Sequence, residues 1–106
     1  MRLPPVSRFR RFMAVAIEGA SMEPTYRDGD WLIVARGGSH KPDDCVVIER
    51  QERPGIYLIK RLIRIDGAKY WVEGDNKTAS TDSRQWGALE RNEIIGKVLF
   101  RYKKAR

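Results

Sequence analysis

The sequence predicts a mainly β fold, with a single small antiparallel β domain arranged as a folded sheet or partly closed barrel and with little helix. Three observations carry this expectation. Apolar residues almost nowhere recur at the 3.6-residue spacing of an amphipathic helix. Short β-prone runs, alternating or continuous, return along the chain instead. Clusters of turn-forming residues separate those runs at intervals typical of antiparallel β proteins. With 106 residues the chain makes one domain, long enough to bury a core without disulfide staples.

A basic segment opens the chain at residues 1–11, where Arg2, Arg8, Arg10 and Arg11 lie among Phe9, Phe12 and Met13. It lacks an apolar run of signal-peptide length. Strands are expected at 12–18 (FMAVAIE), 30–36 (DWLIVAR), 44–50 (DCVVIER), 56–65 (IYLIKRLIRI), 69–73 (KYWVE) and 94–102 (IIGKVLFRY). The runs RDGD at 27–30, RGGSHKPDD at 36–44, RPG at 53–55 and IDG at 65–67 supply the turns. The domain proper spans 12–102, and a basic tail follows at 103–106. The stretch EGDNKTASTDSRQWG, 73–87, is long for a loop in so small a domain. Loops of that length tend to carry function.

Composition narrows the classes. The net charge of +7 invites a polyanion or an anionic membrane face as partner, through the basic ends. Nucleic-acid binding is not expected, because no recognition-helix pattern, zinc spacing or RRM-like aromatic motif is present. A basic β-barrel module stacking bases on Trp31, Trp71, Trp86 and Tyr57 is the alternative from that class. Cys45 is the only cysteine, so there is no internal disulfide framework, and it reads as a small buried strand residue. No apolar run approaches the ~18–20 residues that span a bilayer. A soluble, cytoplasmic protein is the expectation, peripheral to a membrane at most.

The chemistry starts at Ser21, in GASMEPT. A serine hydroxyl is a poor nucleophile near neutral pH and needs a base, plus donors for the oxyanion it creates. Gly19 before it is read as allowing a tight backbone approach, and Pro24-Thr25 as fixing a turn after it. His40 is the only histidine and sits in a Gly-rich segment with nothing to anchor it. A triad of Ser21, His40 and Asp43 or Asp44 exists by inventory, but no nucleophile-elbow motif supports it, and His40 reads as an exposed loop residue.

Lys60 is the stronger base. Alternation along YLIKRLIRI sets Leu58, Lys60 and Leu62 on one strand face and Ile59, Arg61 and Ile63 on the other. An unperturbed lysine, pKa about 10.4, is neutral only about one time in 10³ near pH 7.5. A lysine flanked by leucines loses hydration, which disfavours its charged form. Arg61 is expected to add like-charge pressure in the same direction. In the 73–87 stretch, Gly74 suits a left-handed turn position, and Asp75 and Asn76 suit local side-chain-to-backbone bonds. Ser80 could hold the lysine amine, and Asp82 could pair with Arg84 across Ser83 to stiffen the loop.

Taken together, G-x-S-M-x-P-T, K-R about forty residues on, and G-D-N-x-x-x-S-x-D-S-R-x-x-G resemble the signal peptidase I group of Ser–Lys endopeptidases. Within that group the likeness is greatest to the small soluble nickel-type superoxide dismutase maturation proteases, through MRLP, DGDWL, the compact GDN…STDSR loop and the terminal Gly96–Tyr102 stretch. The resemblance implies the folded-sheet catalytic core of that group. It implies that Ser21 attacks the scissile carbonyl and that neutral Lys60 takes its proton and passes it to the leaving amine. It further implies that Ser80 orients the lysine, that Met22 lines the substrate pocket, and that Asp82 with Arg84, and Asp75 with Arg61, hold the loop on the strands. Many relatives carry a hydroxyl where this chain has Gly19, so the oxyanion site would rest on the Ser21 N–H with another amide or a water. The implied substrate is a precursor protein, the nickel superoxide dismutase precursor first, with no metal or organic cofactor in the protease. A general leader peptidase is the alternative. A self-cleaving repressor domain is not expected, because those relatives lack the GDN…DSR loop and need a DNA-binding part where only twenty residues precede Ser21.

Overall fold

The computed structural model describes residues 11–106; the basic opening expected at 1–11 lies outside it except for Arg11. Among the described residues seven strands form one sheet: β1 (Phe12–Ala16), β2 (Trp31–Arg36), β3 (Cys45–Glu49), β4 (Tyr57–Asp66), β5 (Lys69–Glu73), β6 (Leu89–Glu90) and β7 (Ile94–Lys103). Their spatial order is β1-β2-β7-β3-β4-β5-β6, and every neighbouring pair is antiparallel. The sheet curls into a half-barrel, as the β-prone runs and turns lead one to expect.

Alternation sets which side chains face the core. On β2, Leu32 and Val34 are fully buried while Trp31 is exposed. β3 departs from this pattern: Cys45, Val46, Val47 and Ile48 are all buried, the continuous apolar run of a strand covered on both faces. Burial pushes the Cys45 thiol up to about 11, so it stays protonated and inert. Val46, Ile48 and Leu62 meet Tyr70, Val72, Leu89 and Ile94 in the main core. On β4 the alternation holds through Leu62. The ladder to β5 then slips between Leu62 and Arg64, which turns Arg64 outward over the Trp71 ring, 4.3 Å away.

The stretch 73–87 is not a plain loop. It folds into a 3-10 turn (Lys77–Ala79) and one helical turn, α1 (Ser83–Trp86). Asp82 caps α1 with a capping box closed by Gln85. Nor do the last residues trail as a free tail. β7 runs to Lys103, and the Ala105 N–H donates to Asp30 at 2.7 Å. Asp30 is buried and also accepts from the Arg27 N–H and Arg101, so the C-terminal residues satisfy a carboxylate that folding has taken out of water. No helix among the described residues is long and apolar enough to cross a membrane.

Candidate active site

Strand β4 carries Lys60 inward, where its side chain is 3% exposed. Its Nζ donates to Ser80 Oγ at 3.0 Å. The Ser80 hydroxyl in turn donates to Asp82 Oδ2 at 2.6 Å, which leaves its lone pairs for the lysine. Asp82 is fully buried and also accepts from the Gly74 N–H, the Arg84 N–H and the Arg84 guanidinium. Burial alone would raise its carboxyl, but the bonds from Arg84, Ser80 and the two amides hold it far below the usual carboxylate range.

The same burial lowers Lys60 from its ordinary value. Asp82 opposes this, while the positive charge of Arg84 reinforces it. The like charge at work is thus Arg84, where the sequence led one to expect Arg61. Arg61 points to the opposite face, where it forks onto Asp75 at 2.7 and 3.2 Å and donates to the Asp43 carbonyl.

Ser21 lies in the turn after β1, half-buried, and lines a cleft of about 420 Å³ together with Lys60, Ala79, Thr81 and Trp86. Among the described residues no hydrogen bond joins Ser21 Oγ to Lys60; the amine is held by Ser80 instead. The segment Gly74-Asp75-Asn76 fixes this turn. Asn76 donates through its backbone to the Ser21 carbonyl at 2.9 Å and through its side chain to the Ala20 carbonyl at 3.1 Å. Asp75 accepts from the Thr25 hydroxyl at 2.6 Å as well as from Arg61. These bonds reach across the fold, where local turn bonds were expected. Thr25, read from the sequence only as a turn residue, is one end of that clamp.

Gly74 also differs from its expected role. Its φ is not left-handed. It is required because a Cβ there would lie 2.2 Å from Ser80 Oγ and 2.7 Å from the Ser21 carbonyl oxygen. Gly19 is the reverse case, with φ +84 and open space around a notional Cβ, so its conformation and not close packing calls for glycine. The Gly19 N–H donates to Asp28 at 2.8 Å. Among the described residues the Ser21 N–H has no acceptor.

Met22, 1% exposed, floors a second cleft that Ser21 shares with Ala16, Ile17 and the start of β4. Ser83 accepts from the Val72 N–H and ties α1 to β5. His40 is half-buried and not exposed, and it lines a different cleft with Arg91 and Asn92. Burial lowers its affinity for a proton. Arg50, Arg53 and Trp86, which the sequence reading did not assign to the site, complete the wall of the Ser21 cleft.

A family described as Peptidase S24-like matches residues 4–99. Mitochondrial inner membrane protease subunit 1 of Xenopus tropicalis is 30% identical over 111 residues, covering 82% of this chain and 66% of that protein. The human protein of the same name is 28% identical, covering 82% and 67%. Signal peptidase IB of Staphylococcus aureus is 47% identical over 38 residues, 36% of this chain and 20% of that protein. The chain spans about two thirds of the length of the inner membrane protease relatives.

Proposed function

We propose that this chain, which belongs to the Peptidase S24-like family, is a serine endopeptidase in which Ser21 is the nucleophile and Lys60 the general base. The observation that carries this reading is a buried lysine held by a hydroxyl in the cleft that contains the serine. A neutral amine has two N–H bonds and one lone pair. With one N–H engaged by Ser80, the lone pair is left for the Ser21 hydroxyl. Catalytic hydrogen bonds commonly close only when substrate arrives, which accounts for the missing Ser21–Lys60 bond.

In the first half-reaction the Ser21 hydroxyl passes its proton to Lys60 as Oγ attacks the scissile carbonyl. The oxyanion accepts from the Ser21 N–H, since the Gly19 N–H is committed to Asp28. The tetrahedral species collapses, protonated Lys60 gives its proton to the leaving amine, and an ester to Ser21 remains. Lys60 then deprotonates a water, the water oxygen attacks the ester, and Ser21 leaves with that proton.

The substrate would lie extended. Among the described residues β1 pairs only with β2, and Tyr57 to Lys60 pair only with β3, because β5 joins β4 from Arg61 onward. The Met22-floored cleft runs between these two free edges, so a peptide strand could hydrogen-bond there by β-addition.

The first candidate substrate is the nickel superoxide dismutase precursor, on the strength of the sequence likeness alone, with a cytoplasmic location and peripheral membrane contact through the basic ends belonging to the same reading. The names of the relatives favour a second one, a general leader peptidase. Incubating the protein with that precursor and measuring the product's new N-terminus by mass spectrometry separates them. Removal of the leader by the wild type but not by Ser21→Ala supports the first. An intact precursor beside a cleaved secretory leader peptide supports the second.

A further inference from the structure

The hairpin between β3 and β4 builds the cleft wall that faces the Ser21 turn, and it brings two arginines there. We propose, resting on the peptidase reading above, that this hairpin selects substrates bearing an acidic side chain close to the scissile bond, with Arg53 as the residue that reads it.

The hairpin is held in place by bonds that do not involve the cleft. The Gly55 N–H donates to Glu49 at 2.7 Å, the Arg53 N–H to the Arg50 carbonyl at 2.9 Å, and the Gln51 N–H to Glu93 at 3.1 Å. A second side-chain bond runs from Gln51 to Asn92. The wall is therefore fixed before any substrate arrives, which lowers the ordering cost of binding.

The two arginines differ in how their charge is used. Arg50 lies over the Trp86 ring at 4.1 Å and donates to Glu52 at 2.9 Å, with its side chain 14% exposed. It is wall material with its charge already answered. Arg53 is exposed and forms no ion pair among the described residues. Glu18, on the Ser21 side of the cleft, is likewise without a cationic partner among the described residues. Lys60, the remaining titratable group of the cleft, is engaged by Ser80 deeper in. Among the described residues the cleft is thus polarised between one cation without an ion pair on the hairpin and one anion without an ion pair beside the nucleophile. An extended peptide sends successive side chains to opposite sides. At the position that faces the hairpin a carboxylate meets Arg53 as a bidentate partner and lies away from Glu18, while an amine there meets a like charge.

The test uses the Ser21→Ala protein, which binds without turning over, and fluorescein-labelled decapeptides in which Asp, Asn or Lys occupies each position in turn. The expected result is one position at which Asp binds about three- to fivefold tighter than Asn, an advantage that shrinks in 0.5 M salt. In Ser21→Ala/Arg53→Glu the order inverts and the Lys peptide binds best at that position. Ser21→Ala/Arg64→Glu, with the same charge change at a residue that does not line the cleft, keeps the Asp preference. Absence of any Asp-favouring position, or a preference unchanged by Arg53→Glu, overturns the proposal. Turnover of the best peptide by the wild-type protein is measured alongside. No turnover with the charge preference intact would remove the peptidase reading and leave the charge-reading cleft standing.

Discussion

Lys60 and Arg61 are consecutive cations on β4, and the two faces of the strand treat them in opposite ways. On the outer face Arg61 meets a carboxylate directly, at 2.7 Å, and keeps its charge. On the inner face Lys60 meets a hydroxyl, and the carboxylate stands one bond further away behind Ser80. Arg84 offsets part of the charge of Asp82, and burial of the amine outweighs what is left to hold a proton on the lysine. A cation with a carboxylate as first partner is a clamp. The same cation with a hydroxyl as first partner, and the carboxylate engaged elsewhere, is a candidate base.

The sharpest way to break this contrast is to remove the inner pair. Ser21→Ala and Lys60→Met should each lower peptide cleavage by about 10³-fold or more, read as initial rates on a cleaved precursor. Lys60→Met should also melt no lower than wild type. A buried base with a depressed value costs stability most at low pH, and the cost fades as pH rises through the folded value toward the unfolded one. The gain in melting temperature should therefore be larger at pH 6 than at pH 9.5, and a gain that grows with pH would contradict the assignment.

Gly74→Ala comes next, since its methyl would press on both the Ser80 hydroxyl and the Ser21 carbonyl. Overpacking of this kind costs about 1–3 kcal/mol, visible in a urea titration, and a shift of Ser21 by a fraction of an ångström should cut turnover by up to about 10²-fold. Ser80→Ala leaves Lys60 buried but unaimed. Cleavage should fall by about ten- to a hundredfold, with stability lowered by about 1–3 kcal/mol because a buried amine and carboxylate each lose a partner, and with a partial return of both in Ser80→Thr. Asp75→Asn, on the outer face, has the smallest effect on chemistry. It weakens the grip on Arg61 and Thr25, lowers stability by roughly 1–2 kcal/mol, and should change turnover by less than tenfold. A loss on the scale of Lys60→Met would mean that the two faces are not separate in function.

Much of this was legible in the sequence, because strands announce themselves by a period of two. The same alternation that marks β4 sends Lys60 inward with Leu58 and Leu62. The Asp82–Arg84 pairing was legible because the two are only two residues apart. What a single sequence does not carry is the partner of a long-range bond. Asp75 and Asn76 look like local turn formers, yet their partners Thr25, Ala20 and Ser21 lie at least fifty residues away. Gly74 looks like a left-handed turn residue because the two reasons for glycine, dihedral freedom and lack of a side chain, read alike in a sequence. Helix α1 is too short to show a period. Arg50 and Arg53 pass for a solvated hairpin until the cleft behind them is seen.

The central claim is that Lys60 is the lysine that gives up its proton early. A carbon-detected NMR titration of the lysine ε-methylenes, assigned with Lys60→Arg, measures this without any substrate. The Lys60 resonance should titrate below the ordinary lysine value of about 10.4, and Ser21→Ala should leave it so. A Lys60 resonance at or above that value would leave Ser21 without a base.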